Sequence, residues 1–362
     1  MKIVEIMPVL ELCGVTRFVV DLCNRLAQAH EVVLIVLYPI GENSRAELSE
    51  QVRIVEAGKK PGLDLGLPFR LRKLLQQEQA DVVHLHTASA LQYAALSILS
   101  FRRCRYFYTL HSEAGFEIPS RLIRILTEYP LLRTGLCRVV SNSVFTADSL
   151  AFPTPIIPLG RDLQEDQLRD EEAHRQMTAI RQRHGGIILL NVSNITPVKN
   201  QHMLCQVVQQ MCQNGANVEL VLIGSAPDVA YFRRLLPLLK HERIHYLGSK
   251  NNIPAYMAEA DFFCLSSLTE SGPLVLIEAF FAGLIPVCTP CGDVPNKIRH
   301  GVNGLCAVDC SQQAFEDVLQ AALVMPSEQR RRMAAASEQS YAAYSMNTCA
   351  QRYLRLFQQA IV

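Results

Sequence analysis

The sequence predicts an α/β protein built from two doubly wound, Rossmann-like domains that face each other across a cleft. Short apolar runs alternate with helical patterns, and this alternation restarts after a proline-rich passage, as expected for two parallel sheets. The length of 362 residues exceeds one ordinary core, and the 49% of hydrophobic residues can fill two. A net charge of +1 argues against a protein that attracts nucleic acid through its overall field.

Six apolar runs in the first half are predicted strands, continuous enough to be parallel and buried on both faces. They span residues 2–8, 31–38, 52–57, 81–86, 105–111 and 137–142. Helical patterns at residues 15–29 and 68–79 lie between them, and the second begins with proline, which is favoured at a helix start. These elements define an N-terminal domain of residues 1–160.

A second domain follows a proline-rich passage at residues 152–162. The polar, charge-dense stretch 163–185 is interpreted as a linker. Predicted strands then span residues 186–194, 218–225, 243–248, 260–267, 284–289 and 304–308, and predicted helices span 200–215, 228–240 and the segment after Gly272. We expect a C-terminal domain of residues 161–340 and a C-terminal helix, 341–362, that packs back on the first domain.

Twelve cysteines occur in a chain whose start lacks an export signal, so reduced thiols, mostly buried in cores, are expected. Four of them have a spacing close to that of a four-thiolate zinc site: Cys288, Cys291, Cys306 and Cys310. Two of the four, Cys288 and Cys306, also fit the buried positions of short strands. Packing into a sheet would prevent these thiols from converging on one ion, and the sequence favours that interpretation without excluding zinc.

The segment ESGPLVLIEAFFAG, residues 270–283, places one carboxylate inside an apolar helix. An ionised Glu278 in such surroundings is costly unless it is paired or hydrogen-bonded. Gly272 and Pro273 open this helix, and the free N–H groups of a helix start bind phosphate. Helical side chains tilt toward the N-terminus, so Glu278 could hold a diol such as ribose beside that phosphate. A structural arginine or lysine partner is the alternative.

The sequence resembles a known family over nearly its whole length. Residues 270–308 resemble the Glu-x7-Glu signature and downstream loop of retaining nucleotide-sugar glycosyltransferases of the GT-B fold, the group 1 or GT4 family. Residues 8–32 are similar to the family's glycine loop and first helix, and residues 191–201 resemble the segment whose lysine holds the donor diphosphate. The three motifs occur in the right order, each at a strand-to-helix turn.

The resemblance implies transfer of a hexose-type sugar from a nucleotide diphosphate, most often UDP, to a saccharide or lipid-linked acceptor, with retention and without metal or another cofactor. It places the reaction in cell-envelope polysaccharide or glycolipid biosynthesis. Its catalytic residues would be Glu270, which would hold the hydroxyls of the transferred sugar, Lys199 and His111. Its donor-binding residues would be Gly14, Arg17, Asn194, Lys199, Ser271, Gly272, Pro273, Leu274 and Glu278.

The chain departs from the family pattern at three positions. Asn194 stands where an arginine is usual, Cys13 replaces the first of two glycines, and Asn296 stands where glutamate is frequent. A cation such as Lys199 suits the negative charge that develops on a departing diphosphate, and Arg17 could supply the second cation.

Structural interpretations of the same residues remain open. Lys199 could be a solvated lysine at a helix start, Gly14 could permit a tight turn, and His111 could be a core histidine, as could His84 and His86. Two other functions also fit: a UDP-sugar 2-epimerase of the same fold, and a catalytically silent sugar-nucleotide binding subunit. A Rossmann dehydrogenase is disfavoured because GxGxxG is absent after the first strand.

The sequence contains no apolar run long enough to span a bilayer, and we expect a cytoplasmic protein. Between Leu96 and Arg138, basic residues outnumber acidic ones: Arg102, Arg103, Arg105, Arg121, Arg124, Arg133 and Arg138 against Glu113, Glu117 and Glu128. Residues 118–132 could form a helix with an apolar face and basic flanks, suited to an anionic membrane surface at the inner face of the cytoplasmic membrane. An ordinary core-facing helix has the same pattern.

Overall fold

The computed structural model describes residues 1–10, 14–39, 47–101, 103–113 and 129–361. The chain divides into two compact units: Met1–Asp162 with Tyr344–Val362, and Leu163–Ala343. None of the helices in these described ranges is long and apolar enough to cross a membrane.

The first unit contains a six-stranded parallel sheet of order β3-β2-β1-β4-β5-β6. Its strands are β1 (Lys2–Met7), β2 (Glu31–Val36), β3 (Val52–Glu56), β4 (Val82–Leu85), β5 (Arg105–Leu110) and β6 (Cys137–Ser141). Its helices are α1 (Gly14–Ala27), α2 (Leu67–Glu78), α3 (Ala88–Ser100), α4 (Tyr129–Arg133), α5 (Val144–Asp148) and α14 (Met346–Ile361). The six predicted strands are confirmed, and the strand order reverses between β1 and β4.

The strands of this sheet are apolar because helices cover both faces. β2, for example, is buried at every residue after Glu31. Glu5 in β1 departs from this apolar pattern, because its carboxylate side chain is 0% exposed. An ionised carboxylate at such a position requires partners.

The second unit contains another six-stranded parallel sheet, of order β12-β11-β10-β7-β8-β9. Its strands are β7 (Ile187–Val192), β8 (Val218–Ile223), β9 (Ile244–Tyr246), β10 (Phe262–Leu265), β11 (Ile285–Cys288) and β12 (Leu305–Cys306). Its helices are α6 (Glu171–His184), α7 (Gln201–Gln213), α8 (Val229–Leu235), α9 (Ile253–Ala258), α10 (Leu274–Phe281), α11 (Val294–Lys297), α12 (Gln312–Leu323) and α13 (Ser327–Ser340). The predicted strands of this half are likewise confirmed.

The linker interpretation of residues 163–185 is wrong, because most of this stretch is helix α6 of the second unit. The Asp170 side chain accepts a hydrogen bond from a backbone N–H at the start of the helix, and Gly185 ends it with a left-handed φ of 66°. Its buried positions repeat at helical spacing: Ala173, Met177 and Ile180. The many charges on its exposed face concealed this sparse apolar stripe.

The C-terminal helix α14 belongs to the first unit. Its Phe357 ring lies 4.7 Å from that of Phe107 in β5, measured between centroids. Its Tyr353 hydroxyl lies 2.8 Å from Thr109 Oγ1 in the same strand. The helix therefore covers one face of the first sheet with both apolar and polar contacts.

The cysteines of the described residues are free thiols. Burial raises the pKa of Cys291 to about 12, so its thiol stays protonated. Among the described residues, only Glu5, His84 and His86 bring three possible metal-ligand atoms within 4.8 Å of one another. The four cysteines with zinc-like spacing are therefore not assembled as a four-thiolate site.

The predicted amphipathic helix at residues 118–132 lies mostly outside the described residues, together with Arg102, Arg121 and Arg124. Its interpretation as a membrane-binding segment stays a prediction.

Candidate functional site

In the second unit, the predicted site residues lie at the carboxyl ends of β7 and β10, which are neighbours in the sheet. Asn194 and Lys199 follow β7, and Glu270 follows β10. The N–H of Leu268 donates to the carbonyl of Val198 over 2.8 Å and joins the two loops. Parallel strands end at one edge of a sheet, so segments far apart in sequence meet where open α/β sheets bind ligands.

Lys199 and Glu270 form an ion pair at this edge. Lys199 Nζ lies 2.5 Å from Glu270 Oε1, and Ser267 Oγ donates to the same oxygen over 2.8 Å. Ser266 Oγ donates to the Lys199 carbonyl over 2.9 Å, which holds the lysine backbone. The lysine side chain is 27% exposed and the glutamate side chain 9%. Lys199 is therefore a positioned cation with one face open, and not a freely solvated lysine.

Helix α10 begins beside this pair. Pro273 is its N-cap residue and not, as predicted, its first helical residue, which is Leu274; no side chain caps the helix start. Ser271 and Gly272 precede it and are partly exposed. Glu278 lies four residues after Leu274, about 6 Å along the axis, and is 5% exposed. An uncapped helix N-terminus and a nearby cation both favour an anion.

Two glycines at this edge permit close backbone contacts that the sequence reasoning missed. Gly292 has φ +52°, and a Cβ there would lie 1.5 Å from the Glu270 carbonyl oxygen. That oxygen accepts a hydrogen bond from Asp293 N over 3.2 Å. Gly224 has φ +150°, and its Cβ would lie 2.0 Å from the Ser193 carbonyl oxygen. The sequence signal for both is a glycine shortly after a buried strand.

Two positions that depart from the family pattern have local partners here. Asn194 is exposed, and its Oδ1 accepts a hydrogen bond from Ser225 Oγ over 2.8 Å. Asn296 Nδ2 donates to Asp293 Oδ1 over 2.9 Å, and the other oxygen of Asp293 pairs with Lys297. This buried ion pair, also missed from the sequence, anchors the loop after β11.

In the first unit, His111 ends a buried chain of hydrogen bonds. His86 Nε2 lies 2.6 Å from Glu5 Oε2, and His86 Nδ1 lies 3.2 Å from His111 Nε2. His84 Nδ1 lies 2.9 Å from the same Glu5 oxygen. His84 and His86 are fully buried, and His111 is 4% exposed. The three histidines that the sequence could not distinguish belong to one network.

The hydrogen bonds that link Glu5, His86 and His111 determine which ring nitrogens carry protons. Burial favours the neutral acid, but the electrostatic attraction of His84 and hydrogen bonds from His84 and His86 lower the pKa of Glu5 to about 2, so Glu5 only accepts. Burial and the neighbouring His84 lower the pKa of His86 to about 4, and burial lowers that of His111 as well. Neutral His86 donates Nε2–H to Glu5 and accepts at Nδ1 from the Nε2–H of His111. The remaining nitrogen, His111 Nδ1, is then an acceptor.

His111 Nδ1 has no hydrogen-bond partner among the described residues. The ring lies edge-on to Phe18 of α1, with 5.5 Å between centroids. Gly14 and Arg17 lie on the first turn of the same helix, the glycine exposed and the arginine partly buried. The first unit thus brings His111 and the first helix together at the carboxyl edge of its sheet.

Two doubly wound parallel sheets define a protein of the GT-B class. An uncapped helix start and a positioned lysine at the carboxyl edge of the second sheet suit an anion such as a phosphate. The family models agree with this class. "Glycosyl transferases group 1" matches residues 172–340, and "Glycosyltransferase Family 4" matches residues 13–165. The chain belongs to the group 1, GT4 glycosyltransferases.

Two curated relatives illustrate the range of this family. The chain is 26% identical over 301 residues to N-acetyl-alpha-D-glucosaminyl L-malate synthase of Bacillus anthracis, an alignment that covers 77% of this chain and 74% of the relative. It is 23% identical over 260 residues to the GPI3 subunit of phosphatidylinositol N-acetylglucosaminyltransferase from Saccharomyces cerevisiae, with 69% and 56% covered. The chain therefore spans little more than half of the yeast protein's length.

Solved structures confirm the fold. HepE from Anabaena, in complex with UDP and glucose, superposes with a TM-score of 0.81 at 19% identity, covering 99% of this chain and all of that one. A sucrose-phosphate synthase from Thermosynechococcus elongatus gives a TM-score of 0.81 at 18% identity, with 99% and 98% covered.

Proposed function

We propose that this glycosyltransferase moves a hexose-type sugar from a UDP-sugar to a saccharide or lipid-linked acceptor with retention, in cell-envelope polysaccharide or glycolipid biosynthesis. The observation that carries the proposal is the Lys199–Glu270 pair beside the uncapped start of α10. HepE, whose crystals contain UDP and glucose, shares the fold and supports UDP as the nucleotide. The names of the Bacillus and yeast relatives favour N-acetylglucosamine among the sugars to be tested.

In this proposal the donor reorganises the ion pair. Negative charge grows on the diphosphate as the sugar bond breaks, and Lys199 and the N–H groups of Gly272 and Leu274 stabilise it. The diphosphate replaces Glu270 as the partner of Lys199, so the freed Glu270 carboxylate can accept hydrogen bonds from hydroxyls of the transferred sugar. Glu278 holds the ribose hydroxyls. No metal takes part, because the lysine and the helix start supply the positive potential.

We propose separate roles for three residues of the first unit. His111 presents its Nδ1 lone pair to a hydroxyl of a sugar substrate, Gly14 allows the backbone to approach a phosphate, and Arg17 supplies a cation for it. The protein acts in the cytoplasm, and when its acceptor is lipid-linked it works at the inner face of the membrane.

The test begins with thermal shifts against a panel of nucleotide-sugars that includes UDP-N-acetylglucosamine. A ligand at a hundredfold excess over its Kd stabilises the folded state by about 2.7 kcal/mol. Donor hydrolysis is then measured for the wild type, Lys199→Ala and Glu270→Gln. We expect Lys199→Ala to lose more turnover than affinity, and Glu270→Gln to bind UDP more tightly while turnover falls, because the competing carboxylate charge is removed. Unchanged UDP affinity in both variants would contradict the proposal.

A catalytically silent subunit is the second candidate, because Asn194 replaces a cation and bonds to Ser225. Binding of a UDP-sugar without transfer or hydrolysis would favour it. Conversion of the UDP-sugar to its 2-epimer without any acceptor would instead identify an epimerase.

A further inference from the structure

The segment from Gly58 to Arg70 in the first unit has an inverted distribution of polar and apolar side chains. Two of its four charged residues, Lys59 and Asp64, are only 8% and 6% exposed. Its exposed apolar residues are Leu63, Leu65 and Phe69, at 81%, 74% and 68%. No other run of seven described residues carries three large apolar side chains this exposed.

Lys59 points inward and holds the loop from beneath. Its Nζ donates to the carbonyls of Lys60 over 3.0 Å and of Gly62 over 2.7 Å. The same ammonium lies 4.4 Å from the ring centroid of Tyr38, a cation–π contact. The lysine therefore binds the backbone of the segment whose side chains face outward.

Asp64 closes the other half of the loop. It accepts from the backbone N–H groups of Lys60 over 2.9 Å and Gly66 over 3.1 Å, and from the Arg70 guanidinium over 2.6 Å. These bonds, with that of the Lys60 N–H the strongest, lower the pKa of Asp64 to about 2. Hydrogen bonds of Lys59 and Asp64 therefore fix the backbone of the loop, and this backbone conformation leaves Leu63 and Leu65 exposed.

The charge around these side chains is positive. From residue 59 to 73 the chain has five basic residues and one acidic residue: Lys59, Lys60, Arg70, Arg72 and Lys73 against Asp64. Lys60 and Lys73 are exposed on either side of the apolar residues. Apolar side chains flanked by lysines complement an interface in which anionic headgroups cover acyl chains. Each of these side chains projects separately, and Gly62 and Gly66 beside them are exposed. Such side chains are better suited to shallow insertion into lipid than to packing against a flat protein surface.

We propose that Leu63, Leu65 and Phe69 insert into a membrane surface that contains anionic lipid, with Lys60 and Lys73 at the level of the headgroups. This surface lies in the described part of the first unit and does not depend on the segment 118–132. Only the role of this membrane binding, to bring the enzyme to a lipid-linked acceptor, rests on the proposed function.

The absence of tryptophan from the chain provides a clean assay. Phe69→Trp introduces a single reporter, and Val324→Trp is a matched control at a residue of the second unit that is 76% exposed. With vesicles of equal parts phosphatidylcholine and phosphatidylglycerol, we expect a blue shift and quenching by brominated lipid for Phe69→Trp alone. Emission of Phe69→Trp that vesicles leave unchanged would overturn the proposal.

Vesicle sedimentation supplies an independent measurement. L63S/L65S/F69S should bind anionic vesicles at least about tenfold more weakly than the wild type, because the inserted apolar area is lost. The control V302S/V308S/V324S removes three exposed valines of the second unit and should bind like the wild type. Wild-type binding should also weaken as salt rises, or as phosphatidylcholine alone replaces the mixture.

Two further results would overturn the inference. Equal vesicle binding by both triple variants would exclude these side chains as the anchor. A wild-type dimer that L63S/L65S/F69S dissociates, without vesicle binding, would identify the surface as a contact between copies of the chain. Neither assay contains a donor, so the proposed transferase activity can fail while membrane docking stands, and the reverse also holds.

Discussion

The hydrogen-bond chain from Glu5 through His86 predicts that the neutral ring of His111 carries its proton on Nε2. Reversing the chain would turn the His86 Nε2 lone pair toward Glu5 Oε2 across 2.6 Å. That change forfeits a hydrogen bond to a charged acceptor, worth about 1.5–3 kcal/mol. At about 1.4 kcal/mol per tenfold, the observed arrangement is favoured roughly tenfold to hundredfold. More than about nine in ten molecules should therefore hold the Nε2–H form.

The perturbation that tests this is Glu5→Gln, which keeps the shape of the side chain and removes its charge. A glutamine amide can present either its NH₂ or its oxygen to His86, so both directions of the chain become comparable in energy. We expect His111 to change from one tautomer to a mixture. Tyr353→Phe is the matched control, because it removes the contact to Thr109 and leaves the Glu5–His86 bond in place.

The assay is a long-range proton–nitrogen correlation spectrum of protein labelled with ¹⁵N-histidine, with the His111 signals assigned through His111→Asn. Because it reads the ring nitrogens directly, it separates orientation of the ring from a general loss of stability. Wild-type protein with the proton on Nδ1 would refute the reasoning. A metal ion on Glu5, His84 and His86 would produce that result, since it would occupy the Nε2 lone pair of His86, and a chelator would then restore the Nε2–H form.

Three further predictions concern Glu278, Gly292 and His86. Glu278→Ala should weaken UDP-sugar binding about tenfold to hundredfold, the cost of lost hydrogen bonds to a charged acceptor; an unchanged donor Kd by calorimetry would contradict the ribose assignment. Gly292→Ala should reduce turnover roughly tenfold or more, because its Cβ collides with the Glu270 carbonyl, whereas Gly301→Ala, at φ +77° with nothing within 4 Å, should retain activity. The third concerns pH: the pKa of His86 is about 4 in the folded protein, below the ordinary histidine value of 6.5. The unfolded chain therefore binds the extra proton, and stability falls as pH drops through this window. Between pH 7 and pH 5, the free energy of unfolding measured with urea should fall by about 2 kcal/mol more in the wild type than in His86→Gln.

Much of the fold could be predicted because buried parallel strands are unambiguous. A strand covered on both faces has no polar alternation, and twelve such runs are visible in the sequence and present in the two sheets. Helix α6 was missed because only Ala173, Met177 and Ile180 face the core, and three small or flexible residues among many charges do not resemble an amphipathic stripe. Its capping residues, Asp170 and Gly185, were the better signal.

The candidate site was only partly predictable, because side-chain partners depend on strand order. Glu278 and Lys199 could be singled out locally, one as a carboxylate in an apolar helix and the other at a strand-to-helix turn. The pairing of Lys199 with Glu270 requires that β7 and β10 be neighbours, although 71 residues separate the two side chains. Nothing in the intervening sequence specifies that adjacency.

The same dependence explains the histidine network in the first unit. Glu5 lies opposite His84 because β1 and β4 are paired strands, and the strand order reverses at this pair. At such a switch point the crossovers leave in opposite directions, so the carboxyl ends of two central strands are free of a connecting helix. His86 and His111 follow β4 and β5 at that edge, and Glu5 reaches them from within the sheet. The sequence pattern alone gives the buried carboxylate of Glu5 no partner. The strand order supplies one, and through His86 the carboxylate orients His111 so that its Nδ1 can accept a proton.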